Sequence, residues 1–323
     1  MHTAEAGCRN EQINLHLSEI EFIRLNEGSF SQNAEEVSSA RMKTSQELVV
    51  VTGASTGIGK AIAVEMSKAG YSVVAGVRKD TDLKAWADTL NVSPILLDVT
   101  QDSSCEQALQ KLKPQFESAA RVHLINNAGI AVLGPVETLP MEKWHEQFEV
   151  NVFGLIRVTQ KFLPWIRKTQ GRIVNMSSVS GRAASPFITA YSSSKFAVES
   201  ISDGLRREMK PFGVKVIVIE PGAIDTPIWN KGAPSKEEAV ASLPPSLVEV
   251  YRKTYSRFIE LALNLARNAA PVKKVSDAAL KSIASKNPKT RYVVGNPSVF
   301  FESFLSYHLP DKWVDRMVDK MFD

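Results

Sequence analysis

The stretch AYSSSKFAVES, residues 190–200, sets Tyr191 and Lys195 four positions apart in a segment with helical apolar spacing. Residues i and i+4 lie one above the other on a helix, so an ammonium placed there can act on a phenol. A free phenol with a pKa of about 10 is only about 0.1% ionised at neutral pH, and a nearby cation stabilises the phenolate and lowers that value. Such a tyrosine can give a proton to a bound oxygen or take one from it. Of the six tyrosines only Tyr191 has a lysine four residues on, yet a lone pair of this kind also arises by accident. The three serines between them read as incidental small residues that let the helix lie close to its neighbours.

The elements that must position this pair are legible as an alternation. ELVVVTG, YSVVAGV, SPILLDV, RVHLINNAG, GRIVNMSS and GVKVIVIEPG are short Val/Ile/Leu runs of the kind that form strands buried on both faces. Between them GKAIAVEMSKAG, TDLKAWADTL, DSSCEQALQKLKPQFESA, the long MEKWHEQFEVNVFGLIRVTQKFLPWI and TAYSSSKFAVESISDGLRREMKPFG are apolar at i, i+3, i+4 and predict helices. Strict alternation predicts an α/β fold: a doubly wound, Rossmann-like parallel sheet with helices on both faces, in a single domain spanning residues 42–323. After Gly222, TPIWNKGAPSKEEAVASLPPS reads as loop, residues 247–268 and SDAALKSIASK as helices, RYVVG as a last short strand, and two amphipathic pieces end the chain. Residues 223–323 are expected to form the substrate lid and C-terminal elements.

Gly53, Gly57 and Gly59 follow the first strand directly, within Thr52-Gly53-Ala54-Ser55-Thr56-Gly57-Ile58-Gly59. Such glycines let the backbone turn tightly and approach a pyrophosphate, which the N–H groups and dipole of the next helix attract. The spacing is looser than GxGxxG, but a strand before it and a helix after it favour nucleotide binding over a plain turn. The second strand ends in Arg78 and Lys79 with no carboxylate before Asp80. A basic residue there suits a ribose 2′-phosphate, so NADP(H) is expected over NAD(H); the alternative makes Arg78 and Lys79 solvated charges at a helix start.

Composition narrows the classes further. The apolar share of 44% and charged share of 23% are those of an ordinary soluble globular protein. Cys8 and Cys105 lie in different regions with no pairing pattern, so a disulfide scaffold and a cysteine metal site are excluded and no metal is expected. No apolar run approaches the roughly 18–20 residues of a membrane span, and a cytoplasmic location is the default reading. Residues 1–41 carry seven Glu against three Lys or Arg, while the remainder carries 36 basic against 28 acidic groups. The first segment reads as an extension of uncertain order ahead of a domain starting near Met42. The basic excess is too diffuse for nucleic acid.

Together these residues resemble the classical short-chain dehydrogenase/reductase family, and the likeness spans residues 47 to about 226. It rests on TGxxxGIG at 52–59, Asp98 after the third strand, NNAG at 126–129, Asn151, the serines after the fifth strand, the Tyr191/Lys195 spacing, and Pro221-Gly222. The resemblance implies hydride exchange with a nicotinamide, with Tyr191 as acid/base and Lys195 also bonding the nicotinamide ribose. It further implies that Ser178, 13 residues before the tyrosine, holds the substrate oxygen, and that Asn151 holds a water relaying protons to the lysine. Ser55, Thr56 and Ile58 of the turn, Val99 beside Asp98, Ala128 and Gly129 of NNAG, Pro221, Gly222 and Thr226 are then expected along the cofactor. Asp98 would meet the adenine or cap a helix, and Asn127 would line the cofactor or stabilise neighbouring strands. Ser177 and Ser178 are consecutive, so only one can face the site.

Substrate choice falls to the lid. Leu247, Val250, Tyr251, Tyr255, Phe258, Leu261 and Leu265 are offered by one helix either as an apolar cleft wall or as core and subunit contact. The C-terminal sequence resembles family members that act on retinoids, steroids and other lipophilic alcohols or ketones. Phe300, Phe301, Phe304, Trp313 and Met317 would pack in core or lid, or dip into a membrane surface as a peripheral contact. The expected activity is an NADP(H)-dependent carbonyl reductase or alcohol dehydrogenase acting on a small lipophilic molecule, as a homodimer or homotetramer. The alternatives are a reductase of carrier-bound 3-oxoacyl groups and a catalytically silent nucleotide sensor.

Overall fold

The computed structural model describes residues 47–87, 89–226, 235–297 and 308–322. The extension at 1–41, the loop 227–234 and Phe300, Phe301 and Phe304 lie outside the described residues. Among the described residues seven parallel strands form one sheet in the order β3-β2-β1-β4-β5-β6-β7. They are β1 (Glu47–Val51), β2 (Ser72–Val77), β3 (Val92–Leu96), β4 (Arg121–Asn126), β5 (Arg172–Met176), β6 (Lys215–Pro221) and β7 (Arg291–Val294). The main helices are α1 (Gly57–Lys68), α2 (Asp102–Ser118), α3 (Met141–Phe148), α4 (Gly154–Lys168), α5 (Thr189–Met209), α6 (Lys236–Ala241), α7 (Val248–Arg267), α8 (Lys273–Ala284) and α9 (Asp311–Phe322).

Alternate residues of each strand serve opposite faces, which is why the strands read as continuous apolar runs. Val49 and Val51 of β1 join Ile62 and Met66 of α1 and Val275 and Ile283 of α8 in one core. Leu48 and Val50 join Leu112 and Phe116 of α2 and Val158 and Phe162 of α4 in the other. Phe116 and Phe162 meet edge to face with centroids 5.4 Å apart. Each side chain so buried contributes about 1.5–3 kcal/mol relative to exposure.

Three elements differ from the sequence expectation. TDLKAWADTL forms only a single helical turn, Asp80–Leu83, followed by a 3-10 turn, Lys84–Trp86. Burial of Trp86, 1% exposed, pulls the chain back onto the first core before a longer helix can form. The long helix around Asn151 is α3 and α4 joined by a turn of π-helix, Glu149–Phe153. The loop after Gly222 contains α6, started by a reciprocal cap in which Ser235 and Glu238 satisfy each other's backbone N–H groups.

Candidate functional site

The chain runs outward from β1 to β3 and then returns to β4 on the other side of β1, so two neighbouring crossovers diverge between β1 and β4. In open parallel sheets ligands bind at this crevice, beyond the carboxyl ends of the strands. The glycine turn closes β1 there. Gly53 and Gly57 hold φ values of +64° and +57°, where a side chain is strained. A Cβ at Gly53 would lie 2.8 Å from Ala128 Cα, and one at Gly59 would overlap the Gly53 carbonyl and the Asn127 amide. The turn is tied to β2 by Ala54 N–H donating to the Gly76 carbonyl, 2.9 Å, and to β4 by Thr52 N–H donating to the Ile125 carbonyl, 3.0 Å.

Helix α1 begins behind this turn with no side-chain cap at Thr56 and no acidic residue in its first turn. Its orphan N–H groups and positive end are left for an anion. A cradle that any Cβ would fill, ending on an uncapped helix, fits a dinucleotide pyrophosphate. Ser55 and Ile58 are half-buried and Thr56 is exposed along this turn. Arg78 and Lys79 are exposed at the carboxyl end of β2.

Asn127 serves the turn itself: its Nδ2 donates to the carbonyls of Thr52, 3.0 Å, and Gly53, 3.2 Å. The N–H groups of Asn127 and Ala128 both donate to Thr52 Oγ1 at 3.0 Å. Thr52 is thus a positioning residue of the cradle, visible in the sequence as the polar residue ending an otherwise apolar strand. Asp98 Oδ1 accepts from the Thr100 N–H and hydroxyl, 3.0 and 2.8 Å, at the approach to α2. Val99 is buried, and a Cβ at Gly154 would lie 2.7 Å from its Cγ2, so Gly154 lets α4 approach this loop.

Ser178 lies just beyond the end of β5, and its hydroxyl is the neighbour that draws the Tyr191 phenol pKa down. Its Oγ donates to the Pro221 carbonyl, 3.3 Å, and accepts from the Ser180 N–H, 3.1 Å. Ser177 points away, as alternation requires, towards Gly181. Lys195 Nζ donates to the Met176 carbonyl, 2.8 Å, and stands 5.7 Å from the Tyr191 ring centroid.

Asn151 reaches the same centre from the π-turn. Its Oδ1 accepts from the Ile130 N–H, 2.9 Å, and its Nδ2 donates to the Ile130 carbonyl and to Ser194 Oγ, each at 3.0 Å. Ser194 in turn donates to the Tyr191 carbonyl, 2.6 Å. The serines between tyrosine and lysine are therefore not all incidental: Ser194 joins Asn151 to the helix carrying the pair. Gln147, fully buried, adds bonds to the Val132 N–H, 2.7 Å, and the Ile130 carbonyl, 2.9 Å. A polar pair at 147 and 151 within a helix facing the core was the available signal. Gly129, next to Ile130, would place a Cβ 3.3 Å from Asn151 Oδ1. Gly222 donates its N–H to the Val294 carbonyl, 2.8 Å, behind Pro221, and Thr226 is buried at the end of this described segment.

The expected lowering of the Tyr191 phenol by Lys195 is not what this arrangement produces. Burial pushes the phenol above its ordinary value, with the Ser178 hydrogen bond pulling it partly back. Burial also brings the Lys195 ammonium down to about 8, opposed by the Glu199 carboxylate. Both ions lose hydration inside the site, and the ammonium is turned onto a backbone carbonyl instead of the phenol oxygen.

Above the site, Phe187 packs with Tyr255 and Phe258 of α7, centroids 5.0 and 5.5 Å away, and with Phe322 of α9 at 6.3 Å. Tyr255, Phe258 and Ile259 are buried in this third cluster with Tyr251 against it, whereas Val250 and Leu265 are 64% and 53% exposed. The α7 residues offered as cleft wall or as core and subunit contact therefore divide between a buried and an exposed set. Trp313 and Met317 of α9 are exposed. Among the described residues no helix is long and apolar enough to cross a membrane, and no group of His, Cys, Asp and Glu could hold a metal.

Fold and cradle define a dinucleotide-binding α/β protein of the Rossmann-like class. Residues 47–237 match the family model described as short chain dehydrogenase. An NADPH-dependent 3-dehydrocapnine reductase from Ornithobacterium rhinotracheale is 35% identical over 285 residues, covering 84% of this chain and 95% of that protein. Retinol dehydrogenase 5 from Mus musculus is 32% identical over 287 residues, covering 86% and 89%. The crystal structure of a short-chain dehydrogenase from Streptomyces avermitilis superposes with a TM-score of 0.68 at 29% identity, covering 86% and 96%. The chain belongs to the short-chain dehydrogenase family and is an oxidoreductase acting on carbonyl or CH–OH groups.

Proposed function

We propose that the protein interconverts a carbonyl and an alcohol on a lipophilic substrate, using NADP(H), with Tyr191 as the acid/base. The observation that carries this reading is the convergence of Ser178 from the turn after β5, Tyr191 and Lys195 from α5, and Asn151 from the π-turn, beside the glycine cradle. The cradle would hold the pyrophosphate of a dinucleotide whose nicotinamide, when bound, would supply or accept the hydride. Ser178 orients the substrate oxygen by hydrogen bonding. During reduction Tyr191 gives its proton to that oxygen as the carbonyl carbon gains hydride; during oxidation the phenolate takes the proton back. Burial keeps the free phenol protonated at neutral pH, which suits reduction. Lys195 holds the ribose, and Asn151, anchored to Ile130 and Ser194, holds the relay water. Asp98 serves the adenine, and Val99, Pro221, Gly222 and Thr226 flank the cofactor.

Arg78 and Lys79 support a 2′-phosphate, as does the name of the NADPH-dependent relative. The aromatic cluster of Phe187, Tyr255 and Phe258 supports an apolar substrate, in keeping with a retinol dehydrogenase among the relatives. The reading includes a homodimer or homotetramer. The test is a panel of carbonyls and alcohols, from small aldehydes to retinal and steroids, followed by NADPH absorbance. Turnover rising with substrate size and favouring NADPH is expected; absence of turnover across the panel contradicts the proposal.

A further inference from the structure

Behind the catalytic pair lies a set of buried charges that the reaction so far does not use. Glu199 of α5 sits one helical turn past Lys195; it is 8% exposed and Lys195 5%. Its Oε2 is 3.1 Å from Arg291 Nε of β7 and 3.9 Å from Arg182 Nη2, while its buried Oε1 has no hydrogen-bond partner among the described residues. Arg182 follows the turn that starts at Ser178, and it pairs at 2.8 Å with Glu220, the residue before Pro221 on β6. Arg291 also meets Glu220, 3.3 Å, and Asp203, 2.7 Å; Asp203 in turn faces Arg206 and Arg207. Gly181 permits the approach, since a Cβ there would lie 3.1 Å from the Lys195 carbonyl and 3.2 Å from Glu199 Cγ.

We propose that Glu199, clamped by Arg291 and Arg182, is a positioning residue that acts on the reaction through Lys195, as the buried counter-charge of its ammonium. The inference rests on the role given to Lys195 above. Lys195 and Glu199 are i and i+4 on one helix and both are buried, so the partnerless Glu199 carboxyl oxygen and the ammonium share one water-poor region. Among the described residues the Glu199 carboxylate is the charge that raises the Lys195 pKa against burial. Removing it lets the ammonium lose its proton at a lower pH, so the alkaline limb of the rate profile moves down. Removing Arg291 leaves the Glu199 charge less neutralised, so the limb moves up.

The test is the pH profile of kcat/KM in the reduction direction for the full chain, with NADPH and a substrate from the panel. Glu199→Gln is expected to shift the alkaline limb down by about one pH unit, Glu199→Asp to restore it, and Arg291→Gln to shift it up. Limbs unmoved in the folded variants, or a uniform loss of rate without a shift, would overturn the inference. If Glu199→Gln does not fold, the Arg291→Gln profile decides by the same criterion. Lys195→Met separates the two levels: wild-type turnover in that variant sinks the role of Lys195, whereas lost turnover with an unmoved Glu199→Gln limb sinks only the role of Glu199.

Discussion

The strand edge at residues 47–226 and the lid at 235–322 are built on different principles. At the edge, polar atoms are fixed by short hydrogen bonds from two or more elements, as at Thr52, Asn127, Asn151 and Ser194. Glycines stand where a Cβ would strike backbone. The lid is held by aromatic faces around Phe187, with apolar residues of α7 and α9 left exposed. Proton and hydride transfer need atoms placed within a fraction of an ångström, whereas apolar recognition needs area and tolerates adjustment. Phe187 is where the two meet. It holds φ of +67°, strained for a bulky residue, and its carbonyl accepts from the Gly134 N–H while its ring carries the lid.

Breaking the edge should have the largest effect. Ser178→Ala is expected to lower kcat/KM by about 10²–10³-fold for small and large substrates alike, measured by steady-state kinetics. Gly59→Ala comes next: its methyl group meets the Gly53 carbonyl, so thermal unfolding should show about 1–3 kcal/mol of lost stability, and fluorescence titration weaker NADPH binding. In the lid, Phe258→Ala should raise KM about 10-fold for the largest panel substrates while leaving kcat on small aldehydes unchanged. A uniform loss across the panel would erase the distinction between the regions. Smallest, Arg78→Asp should move the NADPH-to-NADH ratio of kcat/KM toward NADH by a few-fold, with the ranking of substrates preserved.

The edge was legible because its chemistry depends on residue types at short spacings. A glycine turn after a strand, a tyrosine four residues before a lysine, and a serine ending a strand survive in the one-dimensional pattern. What was hidden depends on contacts between distant segments. The π-turn at Glu149–Phe153 leaves the amphipathic period nearly intact, so Asn151 read as lying inside an ordinary helix. Ser194 acquired its role only when α5 met Asn151, a residue 43 positions away. The capping box at Ser235 and Glu238 was present in the sequence but lay among prolines and glycine that read as loop. In the lid, which of Tyr255, Phe258, Val250 and Leu265 face inward was set by Phe187, outside the helix itself.

The edge is proposed to perform the proton transfer, with Tyr191 carrying it. The measurement is Tyr191→Phe, compared with the native chain by NADPH titration and by turnover of the best panel substrate. NADPH affinity within about two-fold of native and turnover reduced by about 10²–10⁴-fold are expected. Native-like turnover in Tyr191→Phe would contradict it.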